Sequence, residues 1–236
     1  MRFSMDALPP GFTTSRTGRV TLVYREDMPF LVKLARLPSD HARPSGLSGR
    51  RAIRVVEPGM VVRTVVHGGL LRNLTGDRFL AATRSLRELE TSLILADRGI
   101  PTPEILAIRI TRGLLFVRLE VASRLVPEAS DLLAFLEANP DDTREYLRKA
   151  GSLIRRMHDC GVYHADLHVK NLLLDGSGVL YVIDLDKARA FDRLPTVLRR
   201  MNTNRFERSV RKWAKAGRLS APHGWELSFR AGYERL

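Results

Sequence analysis

The apolar positions of the chain fall into successive zones of different period. Between residues 20 and 66 they come as short β-branched runs: Val20–Tyr24, Phe30–Leu34, Ala52–Val56 and Met60–Val66. Runs of this length and type predict strands. The last two flank Glu57-Pro58-Gly59, a turn signal that predicts a hairpin. The stretch Pro38–Arg51, rich in Pro, Ser, Gly and Arg, predicts a loop. Over about Asp77–Arg98 the period becomes helical, with Phe79, Leu80, Leu86, Leu89, Leu93 and Ile94 recurring. Gly99, Pro101 and Pro103 stop that helix. Ile105–Ile110 and Leu114–Val121 predict a second hairpin around Thr111-Arg112-Gly113.

From Ser130 the helical period dominates. Ser130 or Asp131 can cap a helix Leu132–Ala138. A longer helix over about Asp142–Asp159 sets Tyr146, Leu147, Ala150, Leu153, Ile154 and Met157 on one face, and Gly161 ends it. Two short apolar segments, Leu172–Leu174 and Leu180–Ile183, are split by Asp175-Gly176-Ser177-Gly178. The tail reads as helical through Leu194, Val197, Leu198, Met201, Phe206, Val210 and Trp213. The pattern divides the chain into a β-rich lobe, residues 1–122, and a mainly helical lobe, residues 123–236.

Composition narrows the class. A 44% hydrophobic share over 236 residues is enough for a packed core. One cysteine, Cys160, excludes an internal disulfide framework and fits a reducing compartment. No apolar run approaches the ~20 residues of a membrane span, and Met1–Phe12 lacks the apolar stretch of a secretory signal, so a cytoplasmic location is expected. The net charge is +13, and Lys187–Leu236 holds thirteen basic against four acidic residues. Such a field attracts nucleic acid, an anionic membrane face or a phosphorylated lipid, and charge alone does not choose among them. A solvated basic surface with no specific partner has the same composition.

The chemistry concentrates in His164-Ala165-Asp166-Leu167-His168-Val169-Lys170-Asn171, a polar loop between the long amphipathic helix and an apolar strand. Ile183-Asp184-Leu185-Asp186 follows at the end of the second apolar strand. This order suits phosphoryl transfer from a nucleotide. Asp166 would orient an acceptor hydroxyl and take its proton, while Asn171 and Asp184 would hold metal ions against the phosphates. Both metal ligands are hard oxygens, the kind Mg²⁺ prefers. Any one of these residues alone reads as a turn former; the ordered set is specific and predicts an α+β, protein-kinase-like two-lobe fold. Gly46 and Gly49, in Gly46-Leu47-Ser48-Gly49, stand where a phosphate-covering loop belongs, although two glycines make a weak motif. The strand Met60–Val66 carries Arg63 where a phosphate-pairing lysine is usual. Glu88 on the following helix is its natural ion-pair partner, and Lys33 is the rival cation.

Further segments carry a family resemblance along nearly the whole chain. They are Arg63-Thr64-Val65-Val66-His67-Gly68-Gly69-Leu70, Thr83-Arg84-Ser85-Leu86-Arg87-Glu88-Leu89 and Gly99-Ile100-Pro101-Thr102-Pro103. His158-Asp159-Cys160-Gly161-Val162-Tyr163-His164-Ala165-Asp166-Leu167 and Ile183-Asp184-Leu185-Asp186-Lys187 continue it. In the tail, Asn204-Arg205-Phe206-Glu207-Arg208-Ser209-Val210-Arg211-Lys212 is similar to an N-x-x-R-x-x-R-S-x-x-K segment with a one-residue slip. Together these resemble the Kdo/heptose kinase family of lipopolysaccharide core biosynthesis.

The resemblance implies ATP with Mg²⁺ as donor, and as acceptor a sugar hydroxyl on a Kdo–lipid A type glycolipid, an inner-core heptose being the alternative. It implies work at the cytoplasmic face of the inner membrane, with no nucleic-acid partner. Asp166 carries over as base, Asn171 and Asp184 as metal ligands, and Leu185-Asp186 departs from the Phe-Gly of protein kinases. His168 either touches phosphate or packs the loop. A basic tail of Arg199, Arg200, Arg205, Arg208, Arg211, Lys212 and Lys215 would face the anionic surface. The competing readings are a small atypical protein kinase linked to RNA processing and an inactive kinase fold that binds nucleic acid or membrane.

Overall fold

A computed structural model describes residues 7–35, 53–56, 59–65, 79 and 82–234. These form two compact units: the described residues of Met1–Glu90 with Glu104–Leu125, and Thr91–Pro103 with Val126 onward.

The first unit is built on β1 (Phe12–Thr17), β2 (Val20–Arg25), β3 (Ile53–Val56), β4 (Met60–Thr64), β5 (Ile105–Arg112) and β6 (Val117–Arg124). They join in one antiparallel sheet ordered β1-β2-β5-β6-β4-β3. Leu22, Leu31, Met60, Leu106, Ala107 and Ala122 form one buried cluster against it. Each such large side chain contributes about 1.5–3 kcal/mol by leaving water. Glu120 on β6 is also buried, and it bonds Arg54 of β3 and Arg109 of β5, at 3.1 Å to the latter. The register puts Arg109 directly opposite Glu120, so the buried carboxylate is matched across strands. The helix α1 (Thr83–Asp97) follows β4, and the division between units falls within it, after Glu90.

Three local expectations change here, and one strand, β1, was not expected. Phe30–Leu34 is not a strand; Pro29–Ala35 is a 3-10 helix. Pro29 supplies no N–H for a ladder, and the bonds Met28 N–H to Arg25 O and Leu31 N–H to Met28 O curl the backbone so that Leu31 is buried. Strand β1 has no apolar alternation to announce it; only Phe12 of its residues is buried, and backbone pairing with β2 holds the rest. Phe79 is not helical but bonds Val117 through both its N–H and its carbonyl. Leu114 and Leu115 do not begin a strand; they form the β5–β6 turn.

The second unit carries α2 (Leu132–Ala138), α3 (Thr143–Asp159), α4 (Thr196–Lys215) and α5 (Trp225–Glu234). Asp131 is the N-cap of α2, its carboxylate accepting from Ala134 N–H at 2.9 Å. β7 (Ser130–Asp131), β9 (Leu172–Leu174) and β10 (Leu180–Val182) make a small sheet; β8 (Val162–Tyr163) pairs with β11 (Arg189–Ala190). One apolar core runs through α2, α3, β9, β10, α4 and α5, with Phe206 of α4 stacked on Phe229 of α5 at 5.0 Å. Helices α3 and α5 approach most closely at Gly151 and Gly232. A Cβ on Gly232 would stand 1.9 Å from Arg148 O, and one on Gly151 would stand 2.1 Å from Phe229 O. Among the described residues no helix is long and apolar enough to cross a membrane.

Candidate active site

The long amphipathic helix α3 delivers the chain into β8, and the polar loop follows. His164 is buried and organises the loop through every polar atom it has. Asp166 N–H donates to its Nδ1 at 3.2 Å, and its Nε2 lies 2.9 Å from Ile183 O. An Nδ1 that accepts leaves the proton on Nε2, so the ring donates to the Ile183 carbonyl. The Ile183 N–H in turn donates to Asn171 O at 3.0 Å. Ile183 is therefore held at both ends, and this sets the place of Asp184 immediately after it. Asp184 adopts a left-handed backbone, φ 62° and ψ 50°, a conformation that non-glycine residues seldom take and that concentrates at functional sites.

Asn171 closes the loop. Its Nδ2 donates to Asp166 O at 2.8 Å, which leaves Oδ1, the atom that would face a metal, outside that bond. Asp166 is thus fixed through its backbone N–H and carbonyl, and its carboxylate is 46% exposed. Arg205 Nη1 lies 3.7 Å from Asp166 Oδ1. His168 is half-buried; burial lowers its pKa, against the raising pull of the Asp166 and Asp184 carboxylates. No group of three or more His, Cys, Asp or Glu among the described residues could hold a metal. The donor set Asn171 and Asp184 fits a hard divalent ion that completes its shell with phosphate and water, as Mg²⁺ does.

The loop is braced from α4, and the bracing residue escaped the motif reading. Asn202 is fully buried: its Oδ1 accepts from His164 N–H at 3.0 Å and from His158 Nε2 at 3.1 Å, and its Nδ2 donates to His164 O at 2.8 Å. Placing the tail motif on Asn202 rather than the exposed Asn204 removes the one-residue slip: Asn202, Arg205, Arg208, Ser209 and Lys212 then match every motif position. The spacing also makes physical sense, since it keeps Asn202, Arg205 and Ser209 on one helix face. Ser209 Oγ accepts from Val169 N–H at 3.0 Å.

The tail is accordingly less of an outward surface than its charge predicts. Phe206 and Val210 lie in the core. Arg199 binds Asp159 at 2.7 Å and donates to His158 O at 3.0 Å, while Arg211 pairs with Glu207. Arg200, Arg208, Lys212 and Lys215 remain exposed.

Burial lowers His158 from its ordinary 6.5 to about 4, against the raising effect of its Asn202 bond. A histidine depressed in this way stays neutral in the fold while the unfolded chain takes up a proton. Its stabilisation is complete above pH 6.5 and is lost as pH falls toward 4. At about 1.36 kcal/mol per unit, the loss is on the order of 3 kcal/mol. Denaturant unfolding across that range should show this extra acid sensitivity in the wild type and not in His158→Gln.

In the first unit Arg63 and Glu88 form the expected ion pair, Arg63 Nη2 to Glu88 Oε1, both largely buried. Lys33 stands exposed on the 3-10 helix, not on a strand. Gly46 and Gly49 lie outside the described residues, as does the segment following Val65 up to Arg78.

Residues 46–221 match the family model of the lipopolysaccharide kinase (Kdo/WaaP) family. The chain is 33% identical to 3-deoxy-D-manno-octulosonic acid kinase of Vibrio cholerae over 149 residues, 61% of this chain and 62% of that protein. The match thus spans less than two thirds of that relative's length. It is 31% identical to the Haemophilus influenzae enzyme of the same name over 67% of this chain and 68% of the relative. The Stenotrophomonas maltophilia one is 32% identical, over 72% and 70%. Among solved structures, WaaP in complex with acyl carrier protein superposes with TM-score 0.63 at 18% identity, covering 91% of this chain and 89% of that one. A glucosamine kinase gives 0.51 at 14% identity, covering 98% and 83%. These likenesses show a kinase-like fold, and, with the family match covering well over half of the sequence, the chain belongs to the lipopolysaccharide kinase (Kdo/WaaP) family.

Proposed function

We propose that this chain transfers the γ-phosphoryl group of ATP to a hydroxyl of a 3-deoxy-D-manno-octulosonic acid residue in the lipopolysaccharide inner core, carried on a lipid A precursor. The observation that carries the reading is the loop geometry: Asn171 bonds Asp166, and Ile183 is clamped between His164 and Asn171. Base and metal ligands so stand in one bonded frame, in a member of a sugar-kinase family. Asp166 would accept the acceptor's proton as the oxygen attacks phosphorus. Asn171 and Asp184 would hold Mg²⁺, which neutralises charge on the β- and γ-phosphate oxygens when bound. Arg205, 41% exposed beside Asp166, supports an acceptor that itself carries a carboxylate. The lipid-borne acceptor places the enzyme at the cytoplasmic face of the inner membrane, in keeping with its net charge of +13.

Purified enzyme with Mg-ATP and a Kdo–lipid A precursor should give a product whose added phosphate maps to the Kdo residue by fragmentation mass spectrometry. Phosphate appearing only on a heptosylated acceptor, or on protein, would overturn the assignment of substrate.

The buried Arg63–Glu88 pair supports Arg63 as the cation for the donor phosphates, with Gly46 and Gly49 proposed as the phosphate-covering backbone. Arg63→Ala is then expected to raise KM for ATP at least tenfold, the scale of one lost charge-assisted bond. Lys33→Ala should leave it within about twofold, being a surface change. Steady-state kinetics at varied ATP decides between them, and the reverse order would move the role to Lys33.

A further inference from the structure

The β5–β6 hairpin ends in a feature that phosphoryl transfer does not use. Its turn is Leu114-Leu115, closed by a bond from Gly113 N–H to Phe116 O of 2.7 Å. Turns of this length ordinarily carry Asn, Asp or Gly, which are small or polar and sit well in water. Here Leu114 is 98% exposed, Leu115 74% and Phe116 37%. Leu114 is the most exposed large apolar side chain among the described residues. Three consecutive apolar residues at the apex of a hairpin form a protruding patch rather than scattered surface leucines.

Among the described residues of the two turns, every charged side chain at this patch is an arginine. Arg112 N–H donates to Arg19 O at 2.8 Å, which lays the β1–β2 turn beside the apolar tip. Arg16, Arg19 and Arg112 are all exposed there. Neither Thr13–Tyr24 nor Thr111–Leu119 contains an Asp or Glu. At the other end of the same strands the arginines are neutralised: Arg25 pairs with Asp27 and Glu104, and Arg124 with Glu104. The two ends of the sheet therefore differ, with the exposed Arg16, Arg19 and Arg112 gathered around its exposed leucines.

We propose that this hairpin tip is where the chain inserts into an anionic bilayer surface. Leu114, Leu115 and Phe116 enter the acyl boundary, and Arg16, Arg19 and Arg112 take the lipid phosphates. An apolar anchor alone gives only marginal, reversible membrane binding, whereas an apolar anchor together with a basic patch gives stable anchoring. Each cation close to an anionic surface is worth about fivefold in affinity. The inference rests on the proposed function for the choice of a lipid surface as partner, but vesicle binding is measured without the reaction.

The test uses the full chain and co-sedimentation with vesicles of phosphatidylcholine plus phosphatidylglycerol, beside vesicles of phosphatidylcholine alone. The wild type should bind the mixed vesicles preferentially. Leu114→Ser with Leu115→Ser should lower that binding at least ~10-fold, since two apolar side chains lose their transfer into the acyl region. Arg19→Glu with Arg112→Glu should lower it ~25-fold or more at low salt. Leu227→Ser, an exposed leucine in the second unit, should leave it unchanged. These side chains point into solvent, so the variants should keep the wild-type circular dichroism. Unchanged vesicle binding by the leucine variant overturns the proposal. So does light scattering that shows a wild-type dimer dissociated by the same variant, because the tip would then join two copies of this chain. Phosphate transfer to a detergent-dispersed acceptor, followed in parallel, should be equal in wild type and variants; its absence from the wild type would tell against the reaction and not against the docking.

Discussion

Asp166→Ala is expected to cut phosphoryl transfer at least ~10²-fold, the scale of a lost general base, while the protein stays folded. The reason lies in how the loop is held. Asp166 is fixed through its N–H to His164 Nδ1 and its carbonyl from Asn171 Nδ2. Alanine keeps both bonds and removes only a half-exposed carboxylate. Asp184 needs a different substitution, because its backbone is left-handed and alanine there costs about 1–2 kcal/mol of strain. Asparagine tolerates that conformation and removes the charge, so Asp184→Asn isolates the electrostatic role. It should lower turnover by a similar factor and raise the Mg²⁺ concentration needed for half-maximal rate. Thermal melts of both variants near the wild type, with turnover also near the wild type, would sink the assignment of these residues.

The second large effect is expected at Asn202, which touches no reacting group in the proposed mechanism. Asn202→Leu is close in volume but leaves His164 N–H, His164 O and His158 Nε2 without partners in a site closed to water. Each buried orphan costs about 1–3 kcal/mol, so a loss on the order of 5 kcal/mol in unfolding free energy is expected. Asn202→Asp keeps the acceptor toward His164 N–H and His158 and loses only the donor to His164 O. It should be less destabilised, and it should raise the pKa of His158 by placing a carboxylate against the ring. In Asn202→Asp, kcat should fall with KM for ATP little changed, since what shifts is the loop carrying Asp166. A normal kcat in Asn202→Asp together with an unshifted His158 titration, followed by NMR, would reduce Asn202 to ordinary core packing.

Exposed cations of the tail sit against a different background from the one that composition suggested. Counting charges from Lys187 onward gives a strongly basic segment, yet Arg199 and Arg211 are engaged with Asp159 and Glu207. Net charge reports the field at a distance, not which cations are spent inside the fold.

Local periodicity was enough to predict α3, whose apolar stripe at helical spacing admits no other burial, and the β9–β10 pair around Asp175–Gly178. It also made the ordered set Asp166, Asn171 and Asp184 legible, because chemistry at a loop depends on residue type and sequence spacing, both visible in one dimension. The Arg63–Glu88 pair was legible for the same reason: a strand cation followed by a helix carboxylate. What periodicity could not supply were the elements held by something other than an apolar pattern. Strand β1 is held by backbone ladder bonds, which any residue but proline offers, and Phe79 by pairing with Val117. The 3-10 turn at Pro29 follows from the burial of Leu31 against Leu22 and Leu106, a tertiary contact. Asn202 belongs to this second kind. In sequence it is one of two asparagines in the same helix, two residues apart. The uninterrupted motif spacing favours Asn202, but only the packing of α4 against the loop decides what it does. Asn204 faces solvent, whereas Asn202 is buried where three polar groups of His158 and His164 need partners and an amide can satisfy all of them.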